Sequence, residues 1–124
     1  MSGRLRSDFF VAAVRRRAEA AGAFVSIARR GAEEAGAIFV VVDRGDGRVD
    51  LYGPAPQSAF DEAQPLERLF SPMLENATGE AARARLEQEM RFDPDLWQVD
   101  IEDREGRAFI DILPPPKETG FTFR

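Results

Sequence analysis

The most constraining feature of the sequence is an unbroken apolar run, Ala37 to Val42, between Gly36 and Asp43. A strand that alternates apolar and polar residues buries one face, whereas this run has no polar residue to turn toward water. It therefore predicts a strand in the middle of a sheet that is covered on both faces. The segments around it are expected to supply that cover.

The composition is that of one folded domain, and it removes several classes of chemistry. With 124 residues, 44% of them hydrophobic and 31% charged, the chain is long enough for one core and too short for two. It has no cysteine and no histidine, which excludes disulfides, thiolate nucleophiles and the usual transition-metal ligands. Carboxylate sites for hard cations stay open, but no cofactor is expected.

The charge and hydropathy of the chain indicate its surroundings. A net charge of −5 disfavours nucleic acid as a partner, because the phosphate backbone is also negative. No apolar run reaches the length of a signal-peptide core or a membrane span. We therefore expect a cytoplasmic protein with no membrane partner.

Two amphipathic helices are predicted from apolar residues at helical spacing. The first begins at Ser7, whose hydroxyl is expected to cap it, and runs to about Ala21. The second begins at Thr78 or Gly79 and runs to about Arg91. Its apolar stripe is thin, so most of its surface is expected to face water.

Short strands joined by hairpins are predicted around the central run. Phe24 to Arg29 is expected to pair directly with the central strand, which turns at Arg44–Gly47 into a return strand with Val49 and Leu51. Further strands are predicted over residues 66–70, ending near Pro72, and over 97–102 and 108–113, which would form a hairpin. These elements predict an α+β fold: a single, mostly antiparallel sheet of five to six strands with two helices packed on it.

The predicted domain covers residues 1–113. Residues 114–124 begin with three prolines, which favour an extended chain, and are therefore expected to form a C-terminal arm.

Several short motifs in a fixed order carry a family resemblance. They are Leu5–Phe9, Arg30–Gly31 leading into Ala35–Ala37, Leu51–Pro54, and Phe92–Trp97 followed by Ile101–Asp103. In this order they resemble the alphaproteobacterial proteins grouped as domain of unknown function 1491 (DUF1491), over roughly residues 4–113. The resemblance implies a small bacterial cytoplasmic protein of one domain. It implies no established activity and no catalytic residues.

One candidate site would bind an anion. Arg6 and Ser7 are expected to lie near Arg30 if the first helix packs antiparallel to the strand that follows it. Such a site would suit a small anion- or nucleotide-binding domain or an enzyme, with Asp8 or Asp93 as the acid or base. The alternative for these residues is a solvated, ion-paired surface.

The densest group of carboxylates does not predict a metal site. It consists of Asp93, Asp95, Glu102 and Asp103. Their spacing matches no EF-hand loop, and a turn followed by the polar end of a strand explains them more simply.

The leading hypothesis is a protein-interaction module, with an unidentified protein or a second copy as its partner. Tyr52 is expected on the strand face opposite Leu51 and, with Pro54, to belong to a partner-binding edge or dimer contact. Phe121 and Phe123 would dock from the C-terminal arm onto a neighbouring chain. An exposed sheet edge would serve the same purpose. Whether the chain is also an enzyme is left open.

Overall fold

The computed structural model describes residues 5–56 and 68–113. In chain order the elements are α1 (Ser7–Ala20), β1 (Phe24–Arg29), β2 (Ile38–Asp43), β3 (Arg48–Pro54), β4 (Leu69–Thr78), α2 (Gly79–Phe92), β5 (Trp97–Glu102) and β6 (Asp111–Ile112). The predicted C-terminal arm, with Phe121 and Phe123, lies outside the described residues, and so does the start of the strand predicted at residue 66. The domain boundary at residue 113 therefore stays a prediction.

The strands form one mixed sheet in the order β1-β5-β2-β3-β4-β6. Antiparallel pairs join β1 to β5, β2 to β3 and β3 to β4, whereas β2 pairs with β5, and β4 with β6, in parallel. The α+β class, the single sheet and the two helices are confirmed. The expectation of a mostly antiparallel sheet is corrected, because the sheet is mixed.

The predicted hairpin between β1 and the central strand β2 is wrong, because β5 lies between them. The connector from Arg30 to Gly36 is tied to the segment that leads into β5. The N–H of Ala32 donates to the carbonyl oxygen of Asp95 (2.9 Å), and Trp97 Nε1 donates to the carbonyl oxygen of Ala32 (2.8 Å). These bonds hold β5 in the position that a hairpin would have given to β1.

The hairpin predicted between residues 97–102 and 108–113 is also wrong. After β5, the backbone N–H and the guanidinium of Arg107 donate to the carboxylate of Asp103, which closes a tight turn. Arg17 of α1 then donates to the carbonyl oxygen of Phe109 (2.8 Å), whose φ is +60°. The chain is thereby directed across α1 to the far edge of the sheet, where β6 pairs with β4 instead of β5.

The strand predicted over residues 66–70 is longer than expected and continues through Pro72 to Thr78. Within the described residues, β6 pairs only with Leu69 and Phe70, so β4 is an edge strand from Ser71 onward. Proline is tolerated on an edge because the missing N–H breaks no ladder there. The pattern therefore misplaced the end of β4 by treating the proline as a stop.

Both predicted helices are confirmed. The side chain of Thr78 caps α2 by accepting a hydrogen bond from the N–H of Ala81 (3.0 Å). Each helix has 14 residues. Among the described residues, no helix combines the length and apolar character needed to cross a bilayer.

The two faces of the sheet carry separate apolar cores. Val14 and Ala18 of α1 pack on one face, against Val40 and Val42 of β2 and Ile101 of β5. Both β2 valines have 0% of their surface exposed, so the predicted cover of the central strand is confirmed on this face, whereas Val41 on the opposite face is only half-buried. Because a Val or Ile side chain contributes about 1.5–3 kcal/mol when it is fully buried, this layer is a major source of stability.

The opposite face is covered by α2 over part of its width. Leu86 of α2 packs with Phe39, Leu51 and Leu96, and α2 contacts β3 and β4. The part of this face formed by β1, β5 and the end of β2 lies beside α2 and is not covered by it.

The close approach of the β1–β2 connector to the segment before β5 yields a stability test. A Cβ at Gly31 would clash with the carbonyl oxygen of Asp95 and lie 2.6 Å from the carbonyl carbon of Leu96. We expect Gly31→Ala to lower the free energy of unfolding by roughly 1–3 kcal/mol, the usual cost of overpacking, as measured by urea denaturation. Gly79→Ala is the control, because nothing lies within 4 Å of its Cβ position. Equal urea midpoints for the two variants would contradict the contact.

Candidate functional site

Arg6 lies among three carboxylates. Its guanidinium is 3.2 Å from Asp8 and 3.6 Å from each of Glu33 and Glu34. The hydrogen bond between Arg6 and Asp8 raises the pKa of the guanidinium and lowers the pKa of the carboxyl group. The positive charge is therefore balanced within the chain.

The Ser7 side chain is buried and does not cap α1, which corrects the expected capping role. Its Oγ donates to the carbonyl oxygen of Gly36 (2.7 Å) and accepts from the guanidinium of Arg68 (3.0 Å). This hydroxyl therefore joins the start of α1 to the connector before β2 and to the start of β4.

The first backbone N–H groups of α1 are also bonded. The N–H of Ser7 donates to the carbonyl oxygen of Glu34 (3.1 Å), and the N–H of Asp8 donates to that of Glu33 (3.0 Å). A helix N-terminus binds an anion through backbone N–H groups that have no other acceptor. Here the connector between β1 and β2 takes these two donors.

Arg30 has a different neighbour, because its guanidinium lies over the Trp97 ring at 4.9 Å from the ring centre. Within the described residues, no hydrogen bond or ion pair joins Arg30 to Arg6 or Ser7. An anion at this place would have to displace the carboxylates around Arg6. The anion site therefore stays a prediction.

The predicted interaction residues of β3 differ in exposure. Tyr52 is half-buried and packs against the core under α1, and burial raises the pKa of its hydroxyl. Pro54, at the end of β3, is exposed. Little of the tyrosine ring is therefore free for a partner.

The most open apolar surface of the sheet lies at its β1 edge. β5 pairs with one side of β1, and within residues 5–56 and 68–113 no strand pairs with the other side. The strand reads Phe-Val-Ser-Ile-Ala-Arg, so charge enters only at Arg29. The Phe24 side chain is 73% exposed. Most edge strands are protected by charged residues, proline or a covering segment, and most of β1 lacks the first two.

An open groove with a volume of about 450 Å³ adjoins β1 on the sheet face away from α1. Phe24, Ser26 and Val41 contribute to its floor. The carboxylates that line it are Asp43, Asp100 and Glu102. We call this surface the acidic groove.

The carboxylates of the acidic groove lack a cationic partner in the described part of the chain. Asp100 is half-buried, and this burial raises the pKa of its carboxyl group. Gln98 opposes the shift by donating a hydrogen bond (2.8 Å), whereas nearby Asp43 adds to it. The described residues contain no group of three or more carboxylates placed to hold a metal ion.

The other end of the β1 edge carries an arginine and a second phenylalanine. An irregularity between Ile27 and Arg29 leaves Arg29 opposite Gln98, on the groove side of the sheet. Arg29 donates to the carbonyl oxygen of Pro94 (2.6 Å), while its buried Nε has no acceptor in the structure. Phe92, two residues before that proline, is 81% exposed.

Neither Phe24 nor Phe92 was among the sequence-predicted site residues. The sequence does contain a signal that Phe24 is exposed. Strand alternation places Phe24 on the same face as Ser26 and opposite to Val25 and Ile27. Phe92 is the last residue of α2, where the helical pattern alone does not fix the direction of a side chain.

The comparisons with known proteins agree with one another. The family model described as protein of unknown function (DUF1491) matches residues 5–111. The solution structure of a protein from A. tumefaciens is 47% identical, with a TM-score of 0.78, and covers 91% of this chain and 98% of its own.

A crystal structure and an NMR structure, each of a DUF1491 family protein from Caulobacter crescentus CB15, are also similar to this chain. Each is 36% identical with a TM-score of 0.73 and covers 89% of this chain; the shares of their own chains are 98% for the crystal and 97% for the NMR structure. No curated protein matched the chain. With the family model spanning most of its length, the chain belongs to the DUF1491 family of proteins of unknown function.

Proposed function

We propose that this protein is a protein-interaction module that accepts an extended segment of a partner at the outer edge of β1. The observation that carries the proposal is the open strand itself, with five uncharged residues in a row and a phenylalanine that is 73% exposed. The main-chain N–H and C=O groups of such an edge are a template for an added strand.

The acidic groove indicates the chemistry of the accepted segment. Side chains of an added strand alternate between the two faces of the sheet, so every second one would lie toward the groove. Asp43, Asp100 and Glu102 on that side favour lysine or arginine over acidic residues. We therefore expect a segment that combines apolar residues with basic ones.

The sequence favours the same functional class. The absence of histidine and cysteine removes the most common general bases and nucleophiles. The alternative, an anion-binding domain or enzyme that uses Arg6, Ser7 and Arg30, has weaker support, because Arg6 is balanced by carboxylates and Ser7 is engaged in the fold. The cytoplasmic location expected from the sequence is part of this proposal.

Two synthetic peptides test strand addition. One alternates valine with arginine, and the other has glutamate in place of each arginine. We expect the arginine peptide to shift the backbone amide signals of β1 in an NMR titration of the full chain. The glutamate peptide should bind about tenfold more weakly or not at all, since about 1.4 kcal/mol corresponds to a factor of ten.

The matched control for this titration is Ala28→Pro. Ala28 is the residue of β1 that has no register partner on β5, so a proline there should block the outer edge while sparing the ladder inside the sheet. A urea midpoint close to that of the wild type would show that this variant is folded. The proposal fails if the arginine peptide leaves β1 unperturbed, or if it perturbs wild type and Ala28→Pro alike.

The uncompensated charge in the acidic groove gives a pH-dependent expectation. Because burial raises the pKa of folded Asp100 above its usual 3.8, its ionised form lowers stability as the pH rises above that value. We expect Asp100→Asn to raise the urea midpoint at pH 7, with a gain that disappears as the pH falls below 3.8.

Glu87→Gln is the comparison for Asp100→Asn. It removes an exposed carboxylate on α2, so it should leave the urea midpoint nearly unchanged at both pH values. A gain from Asp100→Asn that is the same at pH 7 and at low pH would show that charge is not its cause.

A further inference from the structure

Building on the proposed function, we infer that the strand added at β1 is the β1 strand of a second copy of this chain. Two β1 strands would pair antiparallel about a two-fold axis and join two six-stranded sheets into one. The inference thus identifies a second copy of this chain as the partner that binds the outer edge of β1. The argument rests on three features of the edge that complement their own two-fold image.

The first feature is the position of the two most exposed large apolar side chains among the described residues. Phe24 (73% exposed) begins β1, and Phe92 (81% exposed) lies near its other end, since Arg29 donates to the carbonyl oxygen of Pro94. A two-fold axis through the middle of the strand exchanges these ends. Phe24 of each copy would then meet Phe92 of the other, which buries four rings.

The second feature is that both phenylalanines belong to the same side of the sheet. Phe24 lines the acidic groove, and α2, which ends at Phe92, packs on the face that contains this groove. A two-fold axis perpendicular to the sheet keeps the two grooves on one side. The exchange of ends therefore brings the aromatic rings together instead of placing them on opposite faces.

The third feature is the distribution of charge along β1. Phe24 pairs with Glu102 on β5, which has no cationic partner in the described residues, and the strand ends at Arg29. An antiparallel register that sets Phe24 opposite Arg29 of the second copy places that arginine two strand spacings from Glu102, about 10 Å between backbones, on the same side of the sheet and with Phe24 on the strand between them. The buried Nε of Arg29, which lacks an acceptor among the described residues of one chain, belongs to the same side chain. The contact occurs twice in the dimer.

The size of this surface indicates a reversible dimer. β1 has six residues, and the aromatic contacts at its two ends extend the interface only modestly. Interfaces at the lower end of the size range are characteristic of weak or transient complexes. The dimer should therefore depend on concentration.

Light scattering after size exclusion, on the full chain from micromolar to millimolar concentration, tests this inference. We expect the mass to rise from 13.8 kDa toward twice that value. Phe24→Ser and Ala28→Pro should each shift the rise to concentrations about tenfold higher. Phe9→Ser is the matched control, because Phe9 is also exposed (55%) but lies on α1, where the inferred dimer makes no contact.

Charge reversal provides a second readout that a loss of folding cannot reproduce. Glu102→Arg and Arg29→Glu should each weaken self-association, because each homodimer would contain two like-charged pairs. An equimolar mixture of the two variants should regain dimer, since each interface position then joins opposite charges. The double variant should also dimerise.

The outcomes separate this inference from the proposed function. A monomer at every concentration overturns the inference, and the proposed function then stands or falls with the arginine peptide titration. A dimer that Ala28→Pro and both charge reversals leave unchanged, or that Phe9→Ser weakens as much as Phe24→Ser, also overturns it. If the mixture of charge-reversal variants stays monomeric while each variant is folded, the proposed register is wrong and the inference fails with it.

Discussion

The position of β5 between β1 and β2 is the constraint on which the rest of the structure depends. Besides its ladders with β1 and β2, it is held by hydrogen bonds from Ala32 to Asp95, from Trp97 back to Ala32 and from the Trp97 N–H to Ala37. They bind the connector after β1 to the segment before β5, at a place where even a methyl group on Gly31 would not fit. Because β5 takes the inner position, β1 becomes the outer strand of the sheet.

Unequal cover on the two faces makes that outer strand accessible from one side. α1 packs across β2 and β5 on its face, whereas α2 contacts β3 and β4 and buries only Ala82 and Leu86. A helix with so narrow an apolar stripe cannot cover a sheet of six strands. The acidic groove is the part that stays open, and the half-buried Asp100 shows that its charge is held at a cost.

Local patterns predicted the elements of this fold well, but not the way in which they are assembled. The apolar run from Ala37 to Val42 and the alternation of Trp97, Val99 and Ile101 depend on neighbours within a few residues, and both strands were found as expected. Strand order depends instead on contacts between distant segments, such as Ala32 with Asp95, which no local pattern encodes. Nearest-neighbour hairpins were therefore predicted where the chain makes crossovers.

The candidate site likewise shows what local sequence can predict and what depends on the assembled fold. Arg6, Ser7 and Arg30 were grouped because their residue types suit an anion, but the same residue types suit the ion pair of Arg6, the hydrogen bond of Ser7 and the cation–π contact of Arg30 that hold the fold. The strand order that leaves β1 at the edge also decides that Phe24 is exposed. The sequence predicted an exposed sheet edge. It could not identify the edge strand, because the strand order was not known.

The separation of β1 and β2 from β5 in the sequence has a kinetic consequence. In the chain, β5 begins at Trp97, after both strands and after α2, yet it takes its place in the gap between β1 and β2. Pairings that join segments so far apart close large loops and form late. One edge of β2 therefore stays unpaired until β5 is in place. Insertion of β5, the last long strand, is expected to limit the folding rate.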